Sequence, residues 1–257
     1  MNKTFVWGHR GSGFRNLDDN NDYIVQNSLR SFQHAVEKGV DGIKTEARLS
    51  RDNEVILCSS QKLSVNGVMS PINDLPCELI KSMRLQNDEH IPTLRNLFDT
   101  FKGLDIKYNF DISGPEVGIE IIKIAKEYRI IDKLELAKSS SDPRSLKEFF
   151  DEIRNFDKNV ILANSVSLKY NKIKKENLEL NSMYDLDVKV INVNYNFANY
   201  DLFRIVKDLG FKFYVWGVLF KQTMEKFLSM NYKGEFIDAM FSNFPFRLMK
   251  IREQIQS

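Results

Sequence analysis

The sequence predicts an α/β protein of the (β/α)8 TIM-barrel class, and two observations lead to that prediction. Segments of β-branched and aromatic residues alternate with segments whose apolar residues recur at helical spacing. Eight such strand–helix units can be counted once a short excursion at about residues 54–90 is set aside. Alternation of this kind requires a parallel sheet, and eight units close it into a barrel. The length of 257 residues suits one barrel domain spanning residues 1–257.

The predicted strands are short, and the first is closed by Gly8. Each predicted helix has one apolar face, and Ser28 and Gly39 are expected to begin and end the first helix. The predicted barrel strands are 4–8, 41–47, 105–112, 133–137, 159–163, 188–193, 211–218 and 237–242. The later predicted helices are about 74–84, 93–101, 116–128, 142–156, a helical region ending near 184, 200–209, 222–230 and a last helix to the C-terminus.

The charge balance gives no indication of nucleic-acid binding. The chain has 37 basic and 35 acidic residues, a net charge of +2, and a hydrophobic fraction of 42%, which is typical of a soluble globular protein. The lysine-rich segments 172–175 and 221–226 are interrupted by acidic and apolar residues, which favours solvated helix faces over an anion-binding surface. The oligomeric state stays open.

Two cysteines, Cys58 and Cys77, do not make a disulfide framework in a chain of this size, so a reducing compartment is expected. The first residues lack the apolar core of a signal peptide. No apolar run reaches the length of about 18 residues that a bilayer-spanning helix needs. We therefore expect a cytoplasmic protein without a transmembrane segment.

Polar residues cluster where the predicted strands end. His9 and Arg10 follow the first strand, and Lys44 and Glu46 lie near the end of the second. Alternate strand residues point to the same side, so Lys44 and Glu46 both face the barrel interior. Because the carboxyl ends of barrel strands meet at one mouth, these side chains are expected to form a site there.

These fragments and their order resemble the glycerophosphodiester phosphodiesterase family over nearly the whole chain. The resemblance implies a barrel of the phospholipase-C-like phosphodiesterase type and a role in lipid metabolism. It rests on five fragments: His9-Arg10-Gly11, Gln26-Asn27-Ser28 for the family's Glu-Asn-Thr, Ile91-Pro92-Thr93-Leu94, the strand-seven tryptophan Trp216, and Ser242-Asn243-Phe244-Pro245 for Thr-Asp-x-Pro.

The resemblance also implies a reaction. Family members cleave a phosphodiester of glycerol, releasing an alcohol and glycerol 3-phosphate, with two histidines as base and acid and a divalent cation such as Mg²⁺ or Ca²⁺ on three carboxylates. The nucleophile must lose a proton, the leaving alkoxide must gain one, and charge on phosphorus must be neutralised. Transferred to this chain, His9 and Arg10 become catalytic candidates, and Arg10 and Trp216 become candidates for binding the substrate.

Three positions depart from the family pattern. The acid pair Glu-x-Asp on strand two is here Lys44-Thr45-Glu46. The second histidine aligns with Ser59, or with Cys58 after a one-residue shift, and the lysine of the strand-three Glu-x-Lys is Ser113 after Asp111. We therefore expect a degenerate member, a pseudoenzyme with weak or no diesterase activity.

Lys44 is the most informative departure. An ammonium at this position could pair with Glu46 and Asp111 and take over the neutralising role of the cation. We hypothesise that Lys44 substitutes for the metal, so that no cofactor is needed. The alternative is that Glu46 and Asp111 keep a two-carboxylate metal site, which would take Mg²⁺ or Ca²⁺ in an active enzyme.

Several interpretations stay open. His9 could be a core histidine, Arg10 a structural salt bridge and Trp216 a core residue, while His34 and His90 are expected at the surface. The leading hypothesis is a mouth pocket that binds a phosphorylated small molecule through His9 and Arg10. The alternatives are an active phosphodiesterase that uses His9 alone on a glycerophosphodiester, and a non-enzymatic scaffold barrel.

Overall fold

Eight parallel strands form a closed barrel in the computed structural model, which describes residues 3–14, 16–17, 21–166, 168 and 173–257. The strands follow the order β1-β13-β10-β9-β8-β7-β6-β2, and β1 pairs with both β13 and β2, which closes the ring. The barrel strands are β1 Phe5–His9, β2 Gly42–Leu49, β6 Lys107–Ile112, β7 Leu134–Lys138, β8 Ile161–Ser165, β9 Val190–Asn194, β10 Lys212–Trp216 and β13 Ala239–Ser242. The predicted (β/α)8 barrel is therefore confirmed.

Helices pack around the outside of the barrel. They are α1 Leu29–Glu37, α2 Cys77–Ser82, α3 Leu94–Thr100, α4 Pro115–Tyr128, α5 Leu146–Phe156, α6 Leu180–Asp185, α7 Tyr200–Asp208, α8 Lys221–Leu228 and α9 Pro245–Ile255, with 3₁₀ turns at Ile72–Asp74, Gln86–Asp88, Ile131–Lys133 and Lys175–Leu178. The hydroxyl of Ser28 accepts a hydrogen bond from the backbone N–H of Ser31 and caps α1, as expected. Gly39 follows α1 with φ +85°, a conformation that glycine adopts without strain.

The middle of the barrel is filled by aromatic and small side chains from alternate strand positions. Trp7 stacks on Phe241, with ring centroids 5.9 Å apart and planes within 6°. A Cβ at Gly42 would lie 2.6 Å from the Trp7 indole, so only glycine fits on β2 at this level. This packed layer closes the barrel below the mouth and gives the mouth a solid floor.

The excursion after β2 is a small structure with its own core. β3 Val55–Leu57 runs antiparallel to the end of β2, and β4 Lys62–Val65 and β5 Val68–Pro71 form a hairpin around the predicted turn at Asn66-Gly67. A second hairpin, β11 Asn231–Tyr232 with β12 Glu235–Phe236, precedes β13 and was not predicted.

Two expectations from the sequence are wrong. The helix expected at about 74–84 is reduced to α2, because residues 72–74 form a 3₁₀ turn and Pro76 precedes the first helical residue. His34 is only 9% exposed rather than on the surface. Its Nδ1 pairs with the Ser12 hydroxyl at 3.0 Å, and its ring meets the edge of Phe246 because α9 covers that side of α1.

In the parts of the chain that the structure describes, no helix combines the length and the apolar character needed to cross a bilayer.

Glu135 is buried inside the barrel at only 3% exposure. Its carboxyl group accepts hydrogen bonds of 2.9 Å from the Asn109 side-chain N–H and the Tyr214 hydroxyl. Burial raises the pKa of Glu135 above its ordinary value of 4.5, although these hydrogen bonds oppose the rise.

We expect Glu135 to make stability pH-dependent. A carboxyl group with a raised folded-state pKa contributes stability that is complete below pH 4.5 and is lost as the pH rises through the folded-state pKa. The free energy of unfolding can be measured with urea at pH 5 and pH 8. The unmodified protein should exceed Glu135→Gln in this free energy by more at pH 5 than at pH 8. In the control Glu152→Gln, at an exposed position of α5, the difference should change less between the two pH values than it does for Glu135→Gln. An equal difference for Glu135→Gln at both pH values would contradict a raised pKa.

Candidate functional site

A pocket of about 260 Å³ opens at the mouth of the barrel, where the carboxyl ends of the strands meet. Every barrel strand or the residues just after it contribute to its wall, as the alternation of strands and helices predicts. The lining residues are His9, Arg10, Lys44, Glu46, Asp111, Ser139, Ser140, Ser165, Asn192, Trp216, Gly217, Phe241 and Asn243.

Arg10 and Glu46 form the first ion pair of the mouth. The backbone of Arg10 has φ 55° just after β1, and its N–H donates to the Lys44 carbonyl oxygen on β2 at 2.7 Å. Its Nε donates to Glu46 Oε1 at 2.9 Å and a terminal nitrogen donates to the same oxygen at 2.6 Å. Asn27 donates to the other oxygen at 3.2 Å. Burial alone would raise the pKa of Glu46, but the hydrogen bonds and charge of Arg10 lower it to about 2, so Glu46 is ionised.

Lys44 and Asp111 form the second ion pair. Lys44 is 4% exposed, and its Nζ pairs with Asp111 Oδ1 while lying 5.8 Å from the centre of the Phe241 ring. We expected Lys44 to pair with both Glu46 and Asp111, but Glu46 hydrogen-bonds to Arg10 instead. The reason is geometric, because the turn at Arg10 brings its guanidinium group alongside the Glu46 carboxylate and leaves Asp111 for Lys44.

His9 lies at the end of β1 with its imidazole towards the pocket. Its Nδ1 pairs with Asn243 Oδ1, and its Nε2 is 4.0 Å from Glu46 Oε1. Burial lowers the pKa of His9 below its ordinary value of 6.5, and the opposing charge of Glu46 does not restore it. The uncharged imidazole therefore predominates at neutral pH, and the tautomer that donates from Nδ1 to the Asn243 oxygen leaves Nε2 without a proton.

Two of the residues that depart from the family pattern, Ser59 on the excursion and Ser113 just after β6, lie outside the pocket lining. Ser59 is exposed, and its carbonyl oxygen accepts a hydrogen bond from Arg48 at 2.9 Å. Ser113 is also exposed, and its carbonyl oxygen accepts one from Arg144 at 3.1 Å. Neither side chain adds a second acid or base to the mouth.

The structure brings in four polar residues that the sequence interpretation missed. Ser139 and Ser140 follow β7, Ser165 ends β8, and Asn192 lies in the middle of β9. A signal for them existed, since each stands where a predicted strand ends, but serine and asparagine are common in loops and marked no chemistry. Three buried atoms of the pocket lining have no hydrogen-bond partner in the described structure: Lys44 Nζ, Asn192 Oδ1 and Trp216 Nε1. Lys44 Nζ does form the ion pair with Asp111.

The residues at the mouth do not fit a divalent cation held by three carboxylates. Of the acidic residues that line the pocket, Glu46 is bound to Arg10 and Asp111 to Lys44. Over the described ranges, no group of three or more histidine, cysteine, aspartate or glutamate residues is arranged to hold a metal ion. A cation entering here would meet two positive side chains at short range, which disfavours its binding.

We expect His9 to make the folded protein less stable in acid. A histidine whose folded-state pKa is lowered contributes stability that is complete above pH 6.5 and is lost as the pH falls towards the folded-state pKa. The melting temperature of the unmodified protein should therefore fall more between pH 7.5 and pH 5 than that of His9→Gln. His90→Gln, at an exposed position, is the matched control and should follow the unmodified protein. If the melting temperature of His9→Gln falls as much between pH 7.5 and pH 5 as that of the unmodified protein, the pKa of His9 is not lowered.

Comparisons with known proteins agree with this architecture. The chain is 24% identical over 264 residues to the glycerophosphodiester phosphodiesterase of Caldanaerobacter subterraneus subsp. tengcongensis, covering 92% of this chain and 94% of that protein. A phosphodiesterase of Oleispira antarctica, solved with the product sn-glycerol-3-phosphate, superposes with a TM-score of 0.78 at 16% identity, covering 98% of this chain and 97% of that one.

A glycerophosphodiester phosphodiesterase of Parabacteroides distasonis gives a TM-score of 0.73 at 20% identity, with both chains fully covered. At these identities the superpositions show a shared fold. The model of the glycerophosphoryl diester phosphodiesterase family matches residues 9–241, and this confirms the resemblance drawn from the sequence. The chain belongs to the glycerophosphoryl diester phosphodiesterase family.

Proposed function

We propose that this protein binds a phosphorylated small molecule in the mouth pocket and has weak or no metal-dependent diesterase activity. The observation that carries the proposal is the ion pair between the buried Lys44 and the partly exposed Asp111. It places a basic side chain inside a family barrel at the position where the family pattern has a carboxylate.

The polar groups of the pocket suit an anion that offers several oxygen acceptors. An ammonium group has three N–H donors. Lys44 pairs with one carboxylate oxygen of Asp111, and no further acceptor lies within hydrogen-bonding distance of its Nζ among the described residues. Donors of Lys44 therefore remain for a ligand. The hydroxyls of Ser139, Ser140 and Ser165 add donors to the same pocket. Arg10 contributes positive potential, but it is bound to Glu46, so we assign the main anion contact to Lys44 rather than to Arg10.

Hydrolysis of a diester needs more than this pocket supplies. One group must take a proton from the nucleophile and another must give one to the leaving alkoxide. His9 Nε2 can act as a base, but the described pocket lining contains no second imidazole and no carboxyl group free of a basic partner. Binding without efficient turnover is the function that these groups support best.

A second candidate is an active phosphodiesterase that uses His9 alone. One observation favours it: the uncharged imidazole is fixed by Asn243 and lies 4.0 Å from the ionised Glu46, which would stabilise an imidazolium formed during the reaction. The product in the Oleispira relative, sn-glycerol-3-phosphate, is the matching probe for both candidates.

We expect no release of glycerol 3-phosphate from glycerophosphocholine by the unmodified protein, with or without Mg²⁺ or Ca²⁺. Lys44→Glu should instead gain affinity for Mg²⁺, because it removes a cation and adds a third carboxylate, and titration calorimetry measures that gain without any turnover. Lys107→Glu makes the same charge change at an exposed position outside the mouth pocket and should gain none. The double variant Lys44→Glu with Ser59→His tests whether a histidine at position 59 also restores turnover.

Metal-dependent release of glycerol 3-phosphate by the unmodified protein would overturn the proposal in favour of the second candidate.

We expect the unmodified protein to bind glycerol 3-phosphate and Lys44→Met to bind it about 10-fold to 100-fold more weakly, since a hydrogen bond to a charged group contributes about 1.5–3 kcal/mol. Calorimetry at constant ionic strength measures both affinities. Lys107→Met is the matched control and should bind as the unmodified protein does. Equal affinity of Lys44→Met and the unmodified protein would exclude Lys44 as the anion contact.

A further inference from the structure

Asn192 lies deep in the wall of the mouth pocket with part of its amide group unused. It is 5% exposed, on β9, and its Nδ2 donates to the Ser165 hydroxyl at 3.1 Å. Its Oδ1 is buried and has no hydrogen-bond partner in the described part of the chain. Buried amide groups are ordinarily satisfied, so an unused amide atom beside a pocket indicates a group that enters the pocket.

The unused atom does not depend on how the amide is oriented. Exchanging the oxygen and nitrogen would let Oδ1 accept from Ser165 and would leave an N–H without a partner instead. A ligand hydroxyl satisfies either orientation, because it both donates and accepts hydrogen bonds. A purely accepting phosphate oxygen or a purely apolar group would satisfy one orientation or neither.

Asn192 and Lys44 approach the pocket from opposite walls. In the closed order of eight strands, β9 and β2 are separated by four steps in either direction. Trp216, on the neighbouring strand β10, adds a buried indole N–H on the side of Asn192, and this N–H has no hydrogen-bond partner among the described residues. The pocket thus has a cationic wall at Lys44 and a neutral, hydrogen-bonding wall at Asn192.

We infer that Asn192, supported by Ser165, is a specificity-determining residue that binds a hydroxyl group of the ligand. A ligand that contacts both walls has its phosphate at Lys44 and a hydroxyl group at Asn192, and glycerol 3-phosphate, the product in the Oleispira phosphodiesterase structure, carries both groups. This inference rests on the proposed function, since it presupposes that an anion binds at Lys44. Inorganic phosphate or a simple alkyl phosphate would leave the amide atom of Asn192 unsatisfied and should bind more weakly.

Calorimetric affinities for glycerol 3-phosphate and propyl phosphate test the inference directly. The two molecules have the same carbon chain and the same phosphate, and only the first carries hydroxyl groups. The unmodified protein should prefer glycerol 3-phosphate by about 10-fold or more, because a site built to hydrogen-bond a hydroxyl discriminates against an analogue that lacks it.

Asn192→Leu should reduce this preference to within about 3-fold by weakening glycerol 3-phosphate while leaving propyl phosphate unchanged. Asn109→Leu is the matched control. Asn109 is also buried inside the barrel, and its Oδ1 has no hydrogen-bond partner within the described ranges, but it does not line the mouth pocket. It should keep the full preference. If Asn192→Leu does not fold, the two ligands measured on the unmodified protein still decide.

Equal affinity for the two ligands in the unmodified protein would overturn the inference and leave the proposed function standing. A preference that survives Asn192→Leu would overturn the role of Asn192. Failure of both ligands to bind would overturn the proposed function, and the inference with it.

Discussion

Two ion pairs at the mouth of the barrel determine what its site can do. Arg10 holds Glu46 and Lys44 holds Asp111, so each carboxylate that could have received a cation already has a basic side chain against it. Removing one member of a fully buried pair leaves an uncompensated charge that costs about 3–5 kcal/mol. The Asp111 side chain remains 30% exposed, so the cost of removing Lys44 is smaller than that.

The barrel makes this arrangement possible because its interior positions are set by the alternation of each strand. Residues 44 and 46 of β2 face inward together, and the parallel register sets Glu46 beside Asp111 on β6. Below them Trp7 stacks on Phe241, and Lys44 Nζ lies 5.8 Å from the centre of the Phe241 ring. The site therefore has a rigid apolar floor and charged walls, and the same strands that stabilise the fold position the polar groups.

The fold could be predicted in most respects from the sequence, because strand–helix alternation and turn residues are local signals. All eight barrel strands and the helices between them were expected within a few residues. One error occurred where a tertiary contact overrides a local pattern. His34 is polar and lies on a helix, yet α9 covers it. The other error, in the helix within the excursion, is local, because the helix begins only after Pro76.

The sequence by itself determined the barrel, the family, the mouth location of His9, Arg10, Lys44, Glu46 and Asp111, and the departures at Lys44, Ser59 and Ser113. Only the tertiary structure decided which acid pairs with which base, since Arg10 reaches Glu46 through a left-handed turn that no local pattern specifies. It also brought Ser165 and Asn192 into the site. Partners far apart in sequence are selected by strand register and side-chain direction, which exist only once the barrel has closed.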